Sequence, residues 1–214
     1  MILYAHPFSS YSQKVLIALY ENATPFEYRS LEEPSANAEL VSLWPLKRFP
    51  VLVDQGRTIL EATTIIEHLQ IHYPSAVRLI PDGDFGIEVR MLDRVFDNYV
   101  MTPMQKIVAN QLRPEPDRDP YGVTEARGIL DGIYAWLDER LADRTWIAGD
   151  TFTLADCAAA PSLFYADWAQ PIPPTCTNLR ACRARLLAHP SVARAVDEAR
   201  PYRSYFPLGA PDRD

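Results

Sequence analysis

An α/β layer followed by an all-helical half is the fold class that the sequence predicts. Three observations carry it. Residues 2–73 pass through strand-like and helix-like segments in the order β-α-β-α-β-β-α. Pro74 and the Pro81-Asp82-Gly83-Asp84 stretch then break the pattern as a linker would. Beyond Phe85, apolar residues recur at helical rather than strand spacing.

Each element follows from its local pattern. Ile2-Leu3-Tyr4-Ala5 reads as a short strand, and His6 to Ser10 as a loop. Gln13 to Glu21 carries Val15, Leu16, Ala18 and Leu19 at helical spacing, and Phe26 to Ser30 alternates like a strand. A helical stretch over Ala36 to Leu43 precedes Val51-Leu52-Val53, a turn at Asp54-Gln55-Gly56, and Thr58-Ile59-Leu60. Those two strands meet at a short turn and are expected to be antiparallel. The earlier βαβ unit is expected to be parallel and right-handed, which makes the sheet mixed. Ala62 to Tyr73 is a helix with Ile65, Ile66 and Leu69 on one face.

In the second half, Phe85 to Gln111 is a long helical run that Pro103 should kink or interrupt. Arg113 to Tyr121 reads as an exposed loop. Val123 to Asp143 is a second long helix, expected to bury Ile129, Ile133, Trp136, Leu137 and Leu141. Leu154 to Ala166, Leu179 to Ala188 and Val192 to Glu198 complete the helices, and the tail from Pro201 is expected to be irregular. At Phe152-Thr153-Leu154-Ala155-Asp156-Cys157, Thr153 and Asp156 fit a capping box, with Phe152 and Cys157 at the staple positions.

Bulk properties narrow the function classes. The 214 residues include 23% charged side chains and carry a net charge of −7, which argues against a broad nucleic-acid surface. No apolar run approaches the roughly 20 residues of a membrane span, and the first residues lack the features of a signal peptide. Cys157, Cys176 and Cys182 are odd in number and lack metal-ligand spacing, which suggests a reducing compartment without a disulfide framework. His68 and His72 share a helix face but have no acidic company, so no metal is expected and both are read as solvated.

Two features carry chemistry. Pro50 interrupts Arg48-Phe49-Pro50-Val51-Leu52-Val53, which otherwise reads as a strand, because proline donates no ladder hydrogen bond. Either a trans proline opens an edge strand, or a cis Phe49-Pro50 bond turns the Phe49 main chain toward an extended peptide. Ser9-Ser10-Tyr11-Ser12 stands where the first strand hands over to the first helix. Hydroxyls and unpaired amides at a helix start suit an anion such as a thiolate. The plainer alternative is N-capping by Ser9, Ser10 or Ser12. Lys47 and Arg48 are placed to receive a ligand carboxylate. Glu61-Ala62-Thr63 opens a helix whose amides suit a second carboxylate, with Glu61 as acceptor for an ammonium. Glutathione is a molecule with a thiol centre, two carboxylates and an amine in that arrangement.

Phe8-Ser9-Ser10-Tyr11-Ser12-Gln13-Lys14-Val15, Trp44 to Leu52, Ile59-Leu60-Glu61-Ala62 and Phe152 to Asp156 together resemble the cytosolic glutathione S-transferase superfamily, over nearly the whole chain. The resemblance implies a thioredoxin-like N-terminal domain with a mixed four-stranded sheet (residues 1–77) and an all-helical C-terminal substrate domain (residues 85–214). It implies a cis Pro50 and a cytoplasmic, homodimeric detoxification enzyme that uses glutathione as co-substrate and needs no metal. By resemblance, Ser9 faces the glutathione sulfur, with Ser10 as reserve. Lys47 meets the glycine carboxylate, Phe49 pairs through its main chain with the cysteine moiety, and Glu61 contacts the γ-glutamyl end. Tyr4 lies inside the first strand and is read as packing.

One departure stands out. The family usually has serine where this chain has Ala62, and losing a hydrogen bond to a charged group costs roughly 1.5–3 kcal/mol. Thr63 is the neighbouring side chain expected to compensate. The small apolar electrophile is expected against Tyr11, Trp44, Phe96, Tyr99, Met101, Met104 and Gln105. Asp93 and Asp97 are candidates to reach a partner subunit's ligand. Two rival readings accompany this one: a zeta-like glutathione-dependent isomerase, and a non-catalytic member that binds a protein partner.

Overall fold

The computed structural model describes residues 1–214. Its first layer is a four-stranded sheet of β1 (Ile2–Ala5), β2 (Glu27–Ser30), β3 (Val51–Asp54) and β4 (Arg57–Ile59), in the order β2-β1-β3-β4. β1 pairs parallel with β2 and antiparallel with β3, and β3 pairs antiparallel with β4. The mixed sheet therefore follows the sequence reading. Strand alternation sorts side chains to two faces. Leu3, Ala5 and Leu52 join the main core under α1 (Ser10–Glu21) and α3 (Ala62–His72). Tyr4 and Val51 point the other way, into a small cluster with Ala36 and Leu40 of α2 (Pro34–Leu43). Tyr4 is thus a packing residue, and its hydroxyl donates to Glu39 at 2.7 Å.

α4 (Gly83–Val95) runs into a π-helical segment, Phe96–Met101, and then into α5 (Thr102–Gln111). The sequence expectation of one interrupted helix becomes this three-part run. The wide turn lies just before Pro103, whose missing N–H cannot serve the carbonyl four residues back. The Thr102 N–H and hydroxyl both bond the Asp97 carbonyl instead. α6 (Pro120–Arg140), α7 (Leu154–Ala169), α8 (Thr177–Ala188) and α9 (Pro190–Ala199) complete the fold. α1 packs on α7 and α9, so one core joins the sheet layer to the helices.

Three expectations are corrected. α6 buries Ala126, Leu130, Tyr134 and Leu137, while Ile129 and Trp136 stay exposed. The helix offers two apolar stripes. The inward one is chosen where Tyr134 can reach the Gln170 carbonyl (3.1 Å), and Trp136 is instead covered by the Arg140 guanidinium. The tail is irregular only beyond Tyr205: Arg200–Tyr205 forms a 3-10 turn, and residues 206–214, without helix or strand, are still anchored by buried Phe206 and by Asp214 pairing with Arg200 and Arg203. His68 is not solvated, because its Nε2 bonds Asp54 at 2.9 Å, and Asp54 also accepts from Tyr73 at 2.7 Å. His72 is exposed, as read, with its ring tilted 39° against that of His68 and the centroids 4.3 Å apart.

The capping box at the start of α7 is present as read. Asp156, fully buried, accepts from the Thr153 amide (2.9 Å), the Thr153 hydroxyl (3.0 Å) and the Ile147 amide (2.9 Å). It thus ties the loop before α7 to the helix itself. Burial pushes its carboxyl up to about 6, against the pull of the Ile147 and Thr153 hydrogen bonds. Asp156→Ala leaves two buried amides without an acceptor, at about 1–3 kcal/mol each, so a loss of about 2–6 kcal/mol is expected from urea unfolding. With the folded pKa above the unfolded one, the native state binds the proton more tightly. The stability that Asp156 contributes is therefore fullest below pH about 4 and is lost as pH rises through about 6. The mutational cost should be larger at pH 5 than at pH 8; an equal cost at both would refute this account.

Candidate functional site

α1 begins at Ser10, earlier than expected, with Ser9 as its N-cap. The Ser9 hydroxyl oxygen accepts from the Ser12 amide at 3.3 Å. The loop before it is held from both halves of the chain. The Phe8 amide donates to His6 Nδ1 (3.1 Å), the Gln13 side chain donates to the Pro7 carbonyl (2.9 Å), and the Tyr165 hydroxyl of α7 donates to the Phe8 carbonyl (2.8 Å). The Ser10 and Tyr11 amides meet no acceptor within the chain.

A cavity of about 560 Å³ opens at this helix start. Ser9 and Tyr11 line its floor. One wall is Trp44, Lys47, Arg48, Phe49 and Pro50, and a second is Leu60, Glu61 and Ala62. Facing them are Arg94 of α4, Asp97 and Asn98 of the π segment, and Gln105 of α5. The Phe49-Pro50 peptide bond is cis. Four non-glycine residues have left-handed backbone, and two of them, Lys47 (φ 54°) and Glu61 (φ 66°), stand on the cavity walls. Such backbone costs of order 1–3 kcal/mol per residue and tends to gather at functional sites.

Ten of the side chains singled out in the sequence therefore meet in one place: Ser9, Tyr11, Trp44, Lys47, Arg48, Phe49, Pro50, Glu61, Ala62 and Gln105. Six do not. Ser10 is buried as the first helical residue, and Thr63 sits behind the wall in a polar cluster. Phe96, Met101 and Met104 are in the core, and Tyr99 is exposed on a separate groove with Thr102 and Ile129. The wide turn resets the helical phase, so a 3.6-residue period carried through residues 96–101 assigns the wrong faces. Asp97 and Asn98 of that segment line the cavity, as do Arg94 of α4 and Leu60 after β4, none of which the sequence reading placed in this pocket. A polar run interrupting an apolar helix face was the available signal.

Behind the cavity lies a charged cluster, buried at Lys14 and Asp93, nearly so at Asp97 and open to solvent at Arg94. Lys14 Nζ is 2.5 Å from Asp93 and 2.9 Å from Asp97, and donates to the Thr63 hydroxyl at 3.1 Å. Thr63 in turn donates to Asp93 at 2.8 Å. Arg94 caps the cluster, 3.5 Å from Asp93 and 3.9 Å from Asp97. Asp93 is wholly buried and bound to Lys14, so it cannot reach a partner subunit. Burial raises the Asp97 carboxyl; Asp93 raises it further, while Lys14 pulls it down. Two cations and two carboxylates balance within the cluster. By contrast, Lys47, Arg48 and Glu61 join none of the protein's ion pairs or side-chain hydrogen bonds.

Residues 3–76 match the family model described as "Glutathione S-transferase, N-terminal domain", and residues 120–189 match its C-terminal counterpart. A crystal structure of a glutathione S-transferase from Methylobacterium radiotolerans in complex with glutathione sulfonate is 30% identical, with a TM-score of 0.79 over 91% of this chain and 93% of that one. The chain is also 29% identical to FtsZ-localized protein A of Caulobacter vibrioides, over 80% of its length and 79% of the relative's. It is 26% identical to a stringent starvation protein A homolog of Coxiella burnetii, over 77% and 75% respectively.

Removing the cation of the buried cluster should be severe. Lys14→Met leaves Asp93 and Asp97 as buried like charges, and breaking such a pair costs about 3–5 kcal/mol. In denaturant unfolding, adding Asp93→Asn to Lys14→Met should recover part of that loss; additive losses would show that the cluster does not act as a unit.

Proposed function

The chain belongs to the glutathione S-transferase superfamily, and from that membership we propose that it conjugates glutathione, as the thiolate, to a small electrophile seated near Tyr11 and Trp44. The observation that carries this reading is the match of unpaired charge. The cavity presents two unpaired cations, Lys47 and Arg48, and one unpaired carboxylate, Glu61. Glutathione presents two carboxylates and one ammonium. Lys47 takes the glycine carboxylate with Arg48 beside it, Glu61 takes the ammonium, and Phe49 pairs through its main chain with the cysteine moiety. The γ-glutamyl carboxylate rests on the Ala62 and Thr63 amides at the start of α3, with the helix dipole behind them. The missing hydroxyl at Ala62 leaves that end held by backbone alone.

The sulfur then lies over the start of α1. There the Ser9 hydroxyl has two separate tasks that do not compete. Its oxygen lone pair caps the helix, and its O–H is available to donate to the thiolate. Together with the Ser10 and Tyr11 amides it favours the ionised form, lowering a thiol pKa by one or more units. Ser9 stabilises the nucleophile and is not itself the nucleophile.

A second reading, a partner-binding member without catalysis, draws support from Ala62 and from the relatives named for stringent starvation and for localisation with FtsZ. Glutathione binding separates the two. A ligand held only by the folded state must raise stability, by about 2.7 kcal/mol at a hundredfold excess over its dissociation constant. A rise in Tm at millimolar glutathione, with heat in a calorimetric titration, is expected; neither heat nor a rise would favour the partner-binding reading.

For the catalytic role of Ser9, the Ser9→Ala enzyme should lose about 10- to 1,000-fold in kcat, the range for one donor to a developing or bound anion. The thiolate absorbance of its glutathione complex should titrate at higher pH. Loss of the cap should cost about 0.5–2 kcal/mol in a melt. A melt that drops while turnover and thiolate titration stay put would leave Ser9 as a cap only.

A further inference from the structure

We propose that His6 is the positioning residue for Ser9: its Nδ1 closes the turn that carries the Ser9 hydroxyl to the ligand sulfur. The inference rests on the glutathione-conjugating reading above and deepens it by naming what sets the attitude of the sulfur-facing hydroxyl.

His6-Pro7-Phe8-Ser9 is a β-turn, closed by the Ser9 amide donating to the His6 carbonyl at 3.0 Å. Pro7 takes the second position, where its fixed φ suits the turn. The first position of such a turn favours Asn, Asp or Ser, whose side chains accept from the amide two residues on. Here a histidine does so, with the Phe8 amide donating to His6 Nδ1 at 3.1 Å. The His6 amide in turn donates to the Ser12 hydroxyl at 3.4 Å, in the first turn of α1. One residue therefore ties the turn to itself and to the helix that Ser9 caps.

A backbone amide can only donate, so Nδ1 is the bare nitrogen and the ring proton stands on Nε2. That proton goes to Glu32, 2.7 Å away. A carboxylate on one ring nitrogen makes the other a better electron-pair donor, as it does in metal-bound histidines. Glu32 also accepts from the Tyr205 hydroxyl at 3.2 Å, and the Tyr202 ring meets the imidazole edge-on with centroids 4.7 Å apart. On the other side of the turn, Phe8 lies against Trp168, which Arg203 and Phe206 cover. Residues 202–206 thus brace the turn from both sides. Neither His6 nor any of these bracing residues lines the cavity, so what His6 does for the chemistry passes through Ser9. A donor misplaced by about an ångström can cost on the order of 100-fold in rate.

The test uses two isosteres, one for each ring nitrogen. His6→Asn keeps an acceptor where Nδ1 stands, which closes such a turn unaided, and gives up the bond to Glu32. His6→Gln keeps a donor where Nε2 stands and leaves the Phe8 amide without an acceptor. Both remove the ring and its contact with Tyr202, so both melts should drop alike. Conjugation of chlorodinitrobenzene and the thiolate absorbance of the glutathione complex are followed in each. We expect His6→Asn to keep kcat within about 3-fold of wild type and His6→Gln to lose about 10- to 100-fold. KM for glutathione should stay within about 3-fold in both, because Lys47, Phe49 and Glu61 are untouched. The thiolate of the His6→Gln complex alone should titrate at higher pH. Added to Ser9→Ala, His6→Gln should cost nothing further, because the group it positions is gone.

Equal kcat in the two variants, or a full additional loss on top of Ser9→Ala, overturns the proposal and leaves the parent reading standing. If the aryl halide is not turned over, the thiolate titrations decide: the two variants titrating together overturn the proposal. A wild type that binds no glutathione sinks the parent reading, and this role for His6 with it.

Discussion

Lys14 is the residue around which the molecule is organised. A fully buried ammonium is tolerated only if carboxylates and hydroxyls replace its lost hydration. Asp93, Asp97 and Thr63 do so, and they come from α4, the π segment and α3. Satisfying that one cation therefore draws together three elements that the chain order alone leaves apart. The start of α3, with Glu61 and Ala62, and the π segment, with Asp97 and Asn98, are two facing walls of the cavity. The polar cluster and the cavity are two sides of one packing arrangement.

That arrangement explains what could be read in advance. Element order, strand pairing and the capping box depend on neighbours in sequence, and hydrophobic period, turn residues and cap residues report them directly. Lys14 was legible only as one letter in a helical motif. Lysine is almost never fully buried unless paired, and its partners lie 49 to 83 residues away. Helical phase failed for a related reason. Residues 96, 101 and 104 were projected through a turn that is not 3.6 residues wide, and they landed on the cavity when they belong to the core. Pro103 marked the place of the disturbance, but not its direction.

The floor of the site shows the same division between near and far. Ser9 as a cap follows from its position before a helix, a local matter. The attitude of the loop that delivers it follows from Tyr165, 157 residues beyond Phe8, whose carbonyl it holds, and from Gln13, which bonds both Tyr165 and Pro7. A donor that must stand over a ligand atom to within a fraction of an ångström gains from such clamping, because a loosely held group loses its advantage at the moment of reaction.

Charge supplies the last step. In the cluster of buried Lys14, Asp93 and Asp97 with the exposed Arg94 at its rim, two cations meet two carboxylates and cancel, so the cluster offers little long-range attraction to a ligand despite its ion content. Recognition is left to the charges that are not tied down, Lys47, Arg48 and Glu61. Two of these three sit on left-handed backbone. A residue held in that conformation points its side chain and amide where a relaxed loop or helix start would not, and the surrounding fold must hold it there. Paired charges fix the walls, and unpaired charges on constrained backbone face the ligand. A substitution in the first group should act mainly through stability, and one in the second mainly through affinity.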